Sequence, residues 1–232
     1  MSGALGNEEE VAGILRGRLN SGLRQIAFFV LPSAVAFLVL GDVIVAAIYQ
    51  TGRFTRADVV YVWGILAGST VGLLSSTLSR LYSSTYYALR DTRTPLRYAV
   101  VRVILTTGLG YLCAIPLPPA LGIEARWGVA GLTISAGAAS WIEFVLLRRA
   151  LNRRIGRTGL PAPHLAKLWI AAATAALIAW AIHHVLGHHS PILLAVLVLG
   201  PYGLIYFGAA HALGVDEAAA VFARALGIIK RK

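Results

Sequence analysis

Residues 26–49 read IAFFVLPSAVAFLVLGDVIVAAIY and carry one charge, Asp42. A bilayer core is crossed by about 20 apolar residues in a helix, so this stretch suffices for a span. Working outward, four further apolar blocks occupy residues 96–115, 128–147, 165–186 and 191–213. A longer block, 58–89, is interrupted by Ser, Thr and Arg80 and reads as a tilted span. The 232 residues are 57% hydrophobic and 13% charged, against about a quarter charged in soluble domains. The fold class is therefore an all-α integral membrane protein of about six transmembrane helices. Met1 is followed by Glu8, Glu9 and Glu10 rather than by a basic segment, and no cleaved leader is expected.

The charges orient the spans. If the blocks alternate in direction, sixteen Lys and Arg fall on one side: Arg16, Arg18, Arg24, Arg90, Arg93, Arg97, Arg148, Arg149, Arg153, Arg154, Arg157, Lys167, Arg224, Lys230, Arg231 and Lys232. Only Arg53, Arg56 and Arg126 fall on the other, with Arg80 and Arg102 inside spans. Cytoplasmic loops retain Lys and Arg, so both termini are expected in the cytoplasm. The net charge of +11 thus follows from loop position, and nucleic acid is not an expected partner. Cys113, the single cysteine, allows no intrachain disulfide and no CxxC site.

Five segments follow. Residues 1–22 form a cytoplasmic amphipathic segment with Val11, Ile14, Leu15 and Leu19 at helical spacing. Residues 23–150 form a four-helix part, and Pro32 kinks its first span. Gly64, Gly68 and Gly72 let a neighbouring helix approach closely. Residues 151–163 form a basic cytoplasmic loop and residues 164–213 a transmembrane helix pair. Residues 214–232 form a basic tail with Val221, Phe222, Leu226 and Ile229 on one face.

Ionisable residues within spans mark functional sites unless they pair or reach water. Arg80 lies roughly 13 Å inside the 58–89 span at 1.5 Å per residue, too deep for easy snorkelling. Ser69, Ser76, Ser83, Ser84 and Tyr87 share its helix face. A guanidinium on a polar wall suits a phosphate, which it can bind bidentately; a structural Arg paired with a carboxylate is the alternative. Arg102 and Glu143 lie nearer the span ends, where they either join a cavity, pair with each other or snorkel. The candidate binding set is Arg80, Ser76, Ser83, Tyr87, Arg102 and Glu143.

No nucleophile triad, Walker loop or HExxH is present, so no catalytic residues, cofactor or metal are expected. His183, His184, His188 and His189 read as a helix end at the membrane surface rather than a zinc site. A polar-lined helical bundle without reaction chemistry reads as a transporter or channel component.

Three patterns carry a resemblance: Leu31-Pro32-Ser33-Ala34, Gly52-Arg53-Phe54-Thr55, and Tyr86-Tyr87-Ala88-Leu89-Arg90-Asp91-Thr92-Arg93-Thr94-Pro95. Together they resemble the MurJ (MviN) family of lipid II flippases, from about residue 7 through 154, with the last two spans matching by hydropathy. The resemblance implies the second lobe of an exporter of the multidrug/oligosaccharidyl-lipid/polysaccharide superfamily plus two extra C-terminal helices. It implies a cationic cavity for the diphosphate and sugars of lipid II, and a groove on residues 165–213 for the polyprenyl tail. It implies a basic residue at Arg80. Thr106 and Gly110 stand where relatives often carry asparagines, which argues against sodium coupling.

Asp91 is expected to cap the following span, with Pro95 in its first turn. The expected partners are lipid II or a similar polyprenyl diphosphate glycan, membrane lipids, and an N-terminal lobe from elsewhere. The expected location is the bacterial inner membrane. The portion is expected to be inactive alone; a flippase for another polyprenyl-linked glycan and a non-transporting scaffold are the rival readings.

Overall fold

A chain in hydrocarbon must pair its peptide groups within itself, and among the described residues every regular element is helical. The computed structural model describes residues 2–50, 52–186 and 190–229. The elements are α1 (Ser2–Val39), α2 (Gly41–Tyr49), α3 (Arg56–Ala88), α4 (Arg93–Ala114), α5 (Leu117–Ala120), a 3-10 turn (Ala125–Trp127), α6 (Gly128–Ile155), α7 (Ala162–Leu186), α8 (Pro191–Ala212) and α9 (Asp216–Ile229). Six stretches among them are long and apolar enough to cross a membrane: Glu9–Val39, Arg56–Ala88, Arg93–Ala114, Ala125–Ile155, Ala162–Leu186 and Pro191–Ala212.

Boundaries differ from the sequence reading in two places. The apolar run 26–49 is not one helix, because it breaks at Leu40. The Trp63 indole covers Gly41, where no Cβ would fit, and its Nε1–H donates to the Phe37 carbonyl at 3.1 Å. In an unbroken helix that carbonyl would accept from Gly41, so a side chain has entered the ladder, a recognised cause of a break. The segment 151–155, expected as loop, continues α6 to Ile155. Its helical face explains this: Leu147, Leu151 and Ile155 recur at i, i+4, i+8 and are buried.

Two units divide the chain: Met1–Ile26 with Ala67–Leu160, and Ala27–Leu66 with Pro161–Lys232. In the first, a core forms from Leu19, Leu23, Leu78, Tyr82, Tyr86, Phe144, Leu147, Leu151 and Ile155. There α3 and α6 meet through glycine: a Cβ on Gly72 would lie 2.7 Å from the Gly137 Cα, and Gly68 faces Thr133 and Ala130 just as closely. Backbones approach this closely in membranes where side chains are small, and two of the three glycines marked for packing are at this contact. Trp141 Nε1–H then donates to the Val71 carbonyl at 2.8 Å.

In the second unit α7 packs on α8, and a stripe of Ala171, Ala172, Ala175, Ala176 and Ala179 along α7 is buried. Pro32 remains inside α1, and having no N–H it frees the Phe28 carbonyl. Tyr206 Oη–H donates to that carbonyl at 2.6 Å, and Tyr202 Oη–H donates to the Pro32 carbonyl at 2.6 Å. Two tyrosines of α8 thus satisfy what proline disturbs. At the start of α3, Thr55 and Asp58 form a reciprocal cap: Thr55 N–H donates to the Asp58 carboxylate at 2.8 Å, and Asp58 N–H donates to Thr55 Oγ1 at 3.4 Å. His183 and His184 end α7; His188 and His189 lie outside the described residues.

Tyr206→Phe keeps the ring packing against Phe28 but leaves the Phe28 carbonyl without a donor. It lowers stability by about 1–3 kcal/mol, read by thermal unfolding in detergent. Tyr111→Phe, at an exposed position, stays within about 0.5 kcal/mol.

Candidate functional site

A cleft of about 460 Å³ opens in the first unit on α3, α4 and α6. Each helix contributes residues at helical spacing: Ser69, Ser76 and Arg80 from α3, Arg102 and Thr106 from α4, and Thr133, Gly137 and Ser140 from α6. The Gly72–Gly137 contact sets the depth, because it brings α3 and α6 together at the cleft floor.

Arg80 is exposed on this wall, and no carboxylate lies within ion-pair distance of it among the described residues. Arg102 differs: its Nη1 donates to Glu143 Oε2 at 3.2 Å. Glu143 is 5% exposed, whereas the Arg102 side chain is 43% exposed. The buried carboxylate therefore holds one end of a guanidinium whose other edge faces the cleft. Ser76 Oγ–H donates to the Leu73 carbonyl at 3.1 Å, a local bond that leaves its lone pairs available. Ser140 Oγ is buried and has no hydrogen-bond partner. The wall thus offers one unpaired guanidinium, one half-committed guanidinium and several hydroxyls, an arrangement complementary to an oxyanion.

Of the six candidates from sequence, Ser76, Arg80 and Arg102 line the cleft together. Glu143 reaches it through Arg102. Ser83 and Tyr87 lie outside the lining, farther along α3, with Tyr87 exposed. Thr133 and Ser140 were not anticipated, although with Gly137 they recur at i, i+4, i+7 on α6, the same signal that exposed the α3 face.

The motif at residues 86–95 builds a turn rather than a wall. Asp91 accepts from the backbone N–H of Arg93 and Thr94 at 3.1 and 3.0 Å and from Thr94 Oγ1 at 2.7 Å. Arg154 pairs with it at 2.6 Å, and Arg90 turns the chain with φ +57°. The Thr94 backbone bond, then its hydroxyl and the Arg154 charge, hold the Asp91 carboxyl below the usual carboxylate range. Pro95 is buried in the first turn of α4.

A second cavity, of about 310 Å³, lies in the other unit and is apolar. Its lining comes from α1 (Phe29, Pro32, Phe37), α2 (Ile44) and α8 (Leu199, Tyr202, Tyr206, Phe207). α7, the other member of the expected helix pair, contributes nothing to it.

The family model described as lipid II flippase MurJ matches residues 1–200. Among curated relatives, a probable lipid II flippase MurJ of Rhizobium meliloti (strain 1021) is 31% identical over 178 residues, covering 77% of this chain and 30% of its own length. The lipid II flippase MurJ of Burkholderia cenocepacia is 28% identical over 168 residues, 72% of this chain and 30% of that protein. The chain spans less than a third of the length of these relatives. A solved structure of lipid II flippase MurJ in an inward closed conformation superposes with a TM-score of 0.66 at 19% identity, covering 94% of this chain and 42% of the other. The fold is accordingly that of an all-α, multi-pass membrane protein.

Two outcomes follow from the charges described. Arg102→Leu leaves the buried Glu143 carboxylate unpaired and destabilises by about 1–3 kcal/mol, the lower end reflecting the half-exposed guanidinium. Adding Glu143→Leu recovers most of that loss, and a thermal-unfolding double-mutant cycle reads the coupling. Asp91→Asn tests the turn. The wild-type carboxyl titrates lower when folded, so its contribution is present above the ordinary carboxylate range and lost as pH falls through the depressed value. The stability gap between wild type and Asp91→Asn therefore closes on acidification, and a gap unchanged with pH contradicts the cap.

Proposed function

Since the chain belongs to the lipid II flippase MurJ family, we propose that its six spans form part of a flippase that moves lipid II across the bacterial inner membrane. The cleft of the first unit receives the diphosphate and the adjoining sugar. The observation that carries this reading is the unpaired Arg80 guanidinium on a hydroxyl-rich wall at membrane depth, where an unpaired cation is costly and a diphosphate removes that cost. Arg102 gives a second, weaker contact because Glu143 already holds it. Ser76 and Ser140 reach the ester and sugar oxygens. Ser83 and Tyr87 lie along the same α3 face, on the route between the cleft and the arginine-rich end of the bundle.

The apolar groove on α1, α2 and α8 takes part of the polyprenyl tail. Its lining is aromatic and aliphatic, and its tyrosine hydroxyls are already engaged by backbone carbonyls, so it offers apolar contact only. Both termini lie in the cytoplasm in this reading, which the sixteen-to-three division of basic residues supports. Domain roles follow the same lines: residues 23–150 carry the polar path, residues 164–213 with α1 and α2 the tail site, and residues 1–22, 151–163 and 214–232 the cytoplasmic surface. A cleft walled by three helices cannot enclose a head group, so further transmembrane helices complete the path and these six spans alone do not translocate. Transport needs no bond made or broken, and the wall has the groups for binding without an acid and base pair.

A photoreactive side chain in place of Ser76 labels lipid II in membranes, and undecaprenyl diphosphate competes for labelling. Arg80→Gln reduces labelling about tenfold or more, the loss of a charge-assisted hydrogen bond. Labelling that is indifferent to Arg80, or not competed by the diphosphate, overturns the reading.

A further inference from the structure

The loop after α6 is built around two arginines that the cleft does not use. Gly156 ends the helix with φ +87°, and Gly159 follows with φ +139°, both in the region that favours glycine. The space where their side chains would sit is already filled. A Cβ on Gly156 would lie 2.7 Å from Arg16 Nη1, and one on Gly159 would lie 2.5 Å from Arg148 Nη2. Arg16 comes from α1 and Arg148 from α6, so the loop backbone is seated on two guanidiniums from different helices.

Between the glycines, Thr158 is 4% exposed, and each of its polar groups is engaged. Its N–H and Oγ1–H donate to Asn152 Oδ1 at 2.9 and 2.5 Å. Because that hydroxyl proton is committed, Tyr82 Oη–H donates to Thr158 Oγ1 at 3.0 Å. Arg148 Nε–H donates to the Thr158 carbonyl at 3.1 Å, and Gly159 N–H donates to Asn20 Oδ1 at 3.1 Å. Satisfied buried polar networks of this kind fix a single conformation. The loop is therefore a rigid mount and the two guanidiniums have defined positions.

Their donors are largely unspent. Among the described residues no carboxylate pairs with either guanidinium, and Arg16 makes no hydrogen bond. Arg148 uses Nε and keeps both Nη groups, and both side chains are half-buried. If these cations served only to compensate the C-terminal end of α6, Arg16 would donate to its terminal carbonyls, and it does not. The two glycines are three residues apart, at most about 11 Å along an extended chain, so the two guanidiniums flank one short segment. It lies at the end of the first unit where Arg154 meets Asp91, where apolar helix gives way to charge.

We infer that Arg16 and Arg148, mounted on residues 156–159, form a phosphate-binding site at the arginine-rich end of the first unit, separate from the cleft and independent of its function. The ligand is a phosphate monoanion or diester, supplied either by an anionic glycerophospholipid head group or by a soluble phosphate. Guanidiniums fit its oxygens bidentately, and half-burial makes the interaction less sensitive to salt than that of free surface cations.

The full chain, purified in a neutral detergent, is titrated with phosphatidylglycerol and separately with phosphatidylcholine, and bound lipid is counted by native mass spectrometry. Phosphatidylglycerol is retained over phosphatidylcholine, and Arg16→Gln with Arg148→Gln weakens retention about tenfold. Arg97→Gln, an exposed arginine in the first turns of α4 with the same change in charge, leaves it unchanged. Arg16→Gln alone breaks no hydrogen bond of the fold, so its several-fold loss is read on a folded chain. Displacement by millimolar inorganic phosphate supports the site with a soluble ligand as its source; resistance to displacement supports the lipid head group. Equal effects of Arg97→Gln and Arg16→Gln, or equal retention of the two lipids, overturn the site in favour of diffuse surface charge.

Discussion

Hydrocarbon offers no hydrogen bonds, and most of what distinguishes this chain follows from that constraint. Proline in α1 is tolerated because Tyr206 replaces the donor it lacks. The break at Leu40 is tolerated because Trp63 takes the Phe37 carbonyl. Serines and threonines of α3 return their protons to carbonyls one turn back, as Ser75, Thr77 and Thr85 do. Glu143, the most buried charge of the first unit, is held by Arg102. Beside these satisfied groups, Ser79 and Ser140 have buried hydroxyls without a partner, and Arg80, deep in the α3 span, has no carboxylate within ion-pair distance among the described residues.

The cleft owes its geometry to residues with no chemistry of their own. Gly72 and Gly137 let two backbones meet, which places hydroxyls of α3 and α6 on one wall. Packing and binding are thus coupled: a larger residue at either glycine would spread the wall before touching any ligand. The apolar groove follows a similar logic in the other unit, where the tyrosines that repair α1 also shape its surface and turn their hydroxyls away from it.

Much of this was legible in the sequence because bilayer thickness and charge asymmetry act on whole segments. The six spans, the polar face of α3, the Asp91 cap and the Arg102–Glu143 pair each rest on spacing or scarcity that one strand of text displays. The break at Leu40 was not legible, since it depends on an indole from another helix. Ser83 and Tyr87 share Arg80's helix face, but periodicity gives direction and not the length over which neighbouring helices form a wall. Family resemblance points to the last two helices for an apolar groove, and of these α8 lines the apolar cavity described, together with α1 and α2.

The central claim is that the unpaired Arg80 guanidinium receives the diphosphate of a polyprenyl-linked glycan. The most direct measurement is a structure of the chain, together with the helices that complete its cavity, bound to lipid II. The diphosphate is predicted within hydrogen-bonding distance of Arg80, with Arg102 still on Glu143 or shared with the ligand. A head group bound elsewhere, with Arg80 paired to a carboxylate from the completing helices, would contradict it.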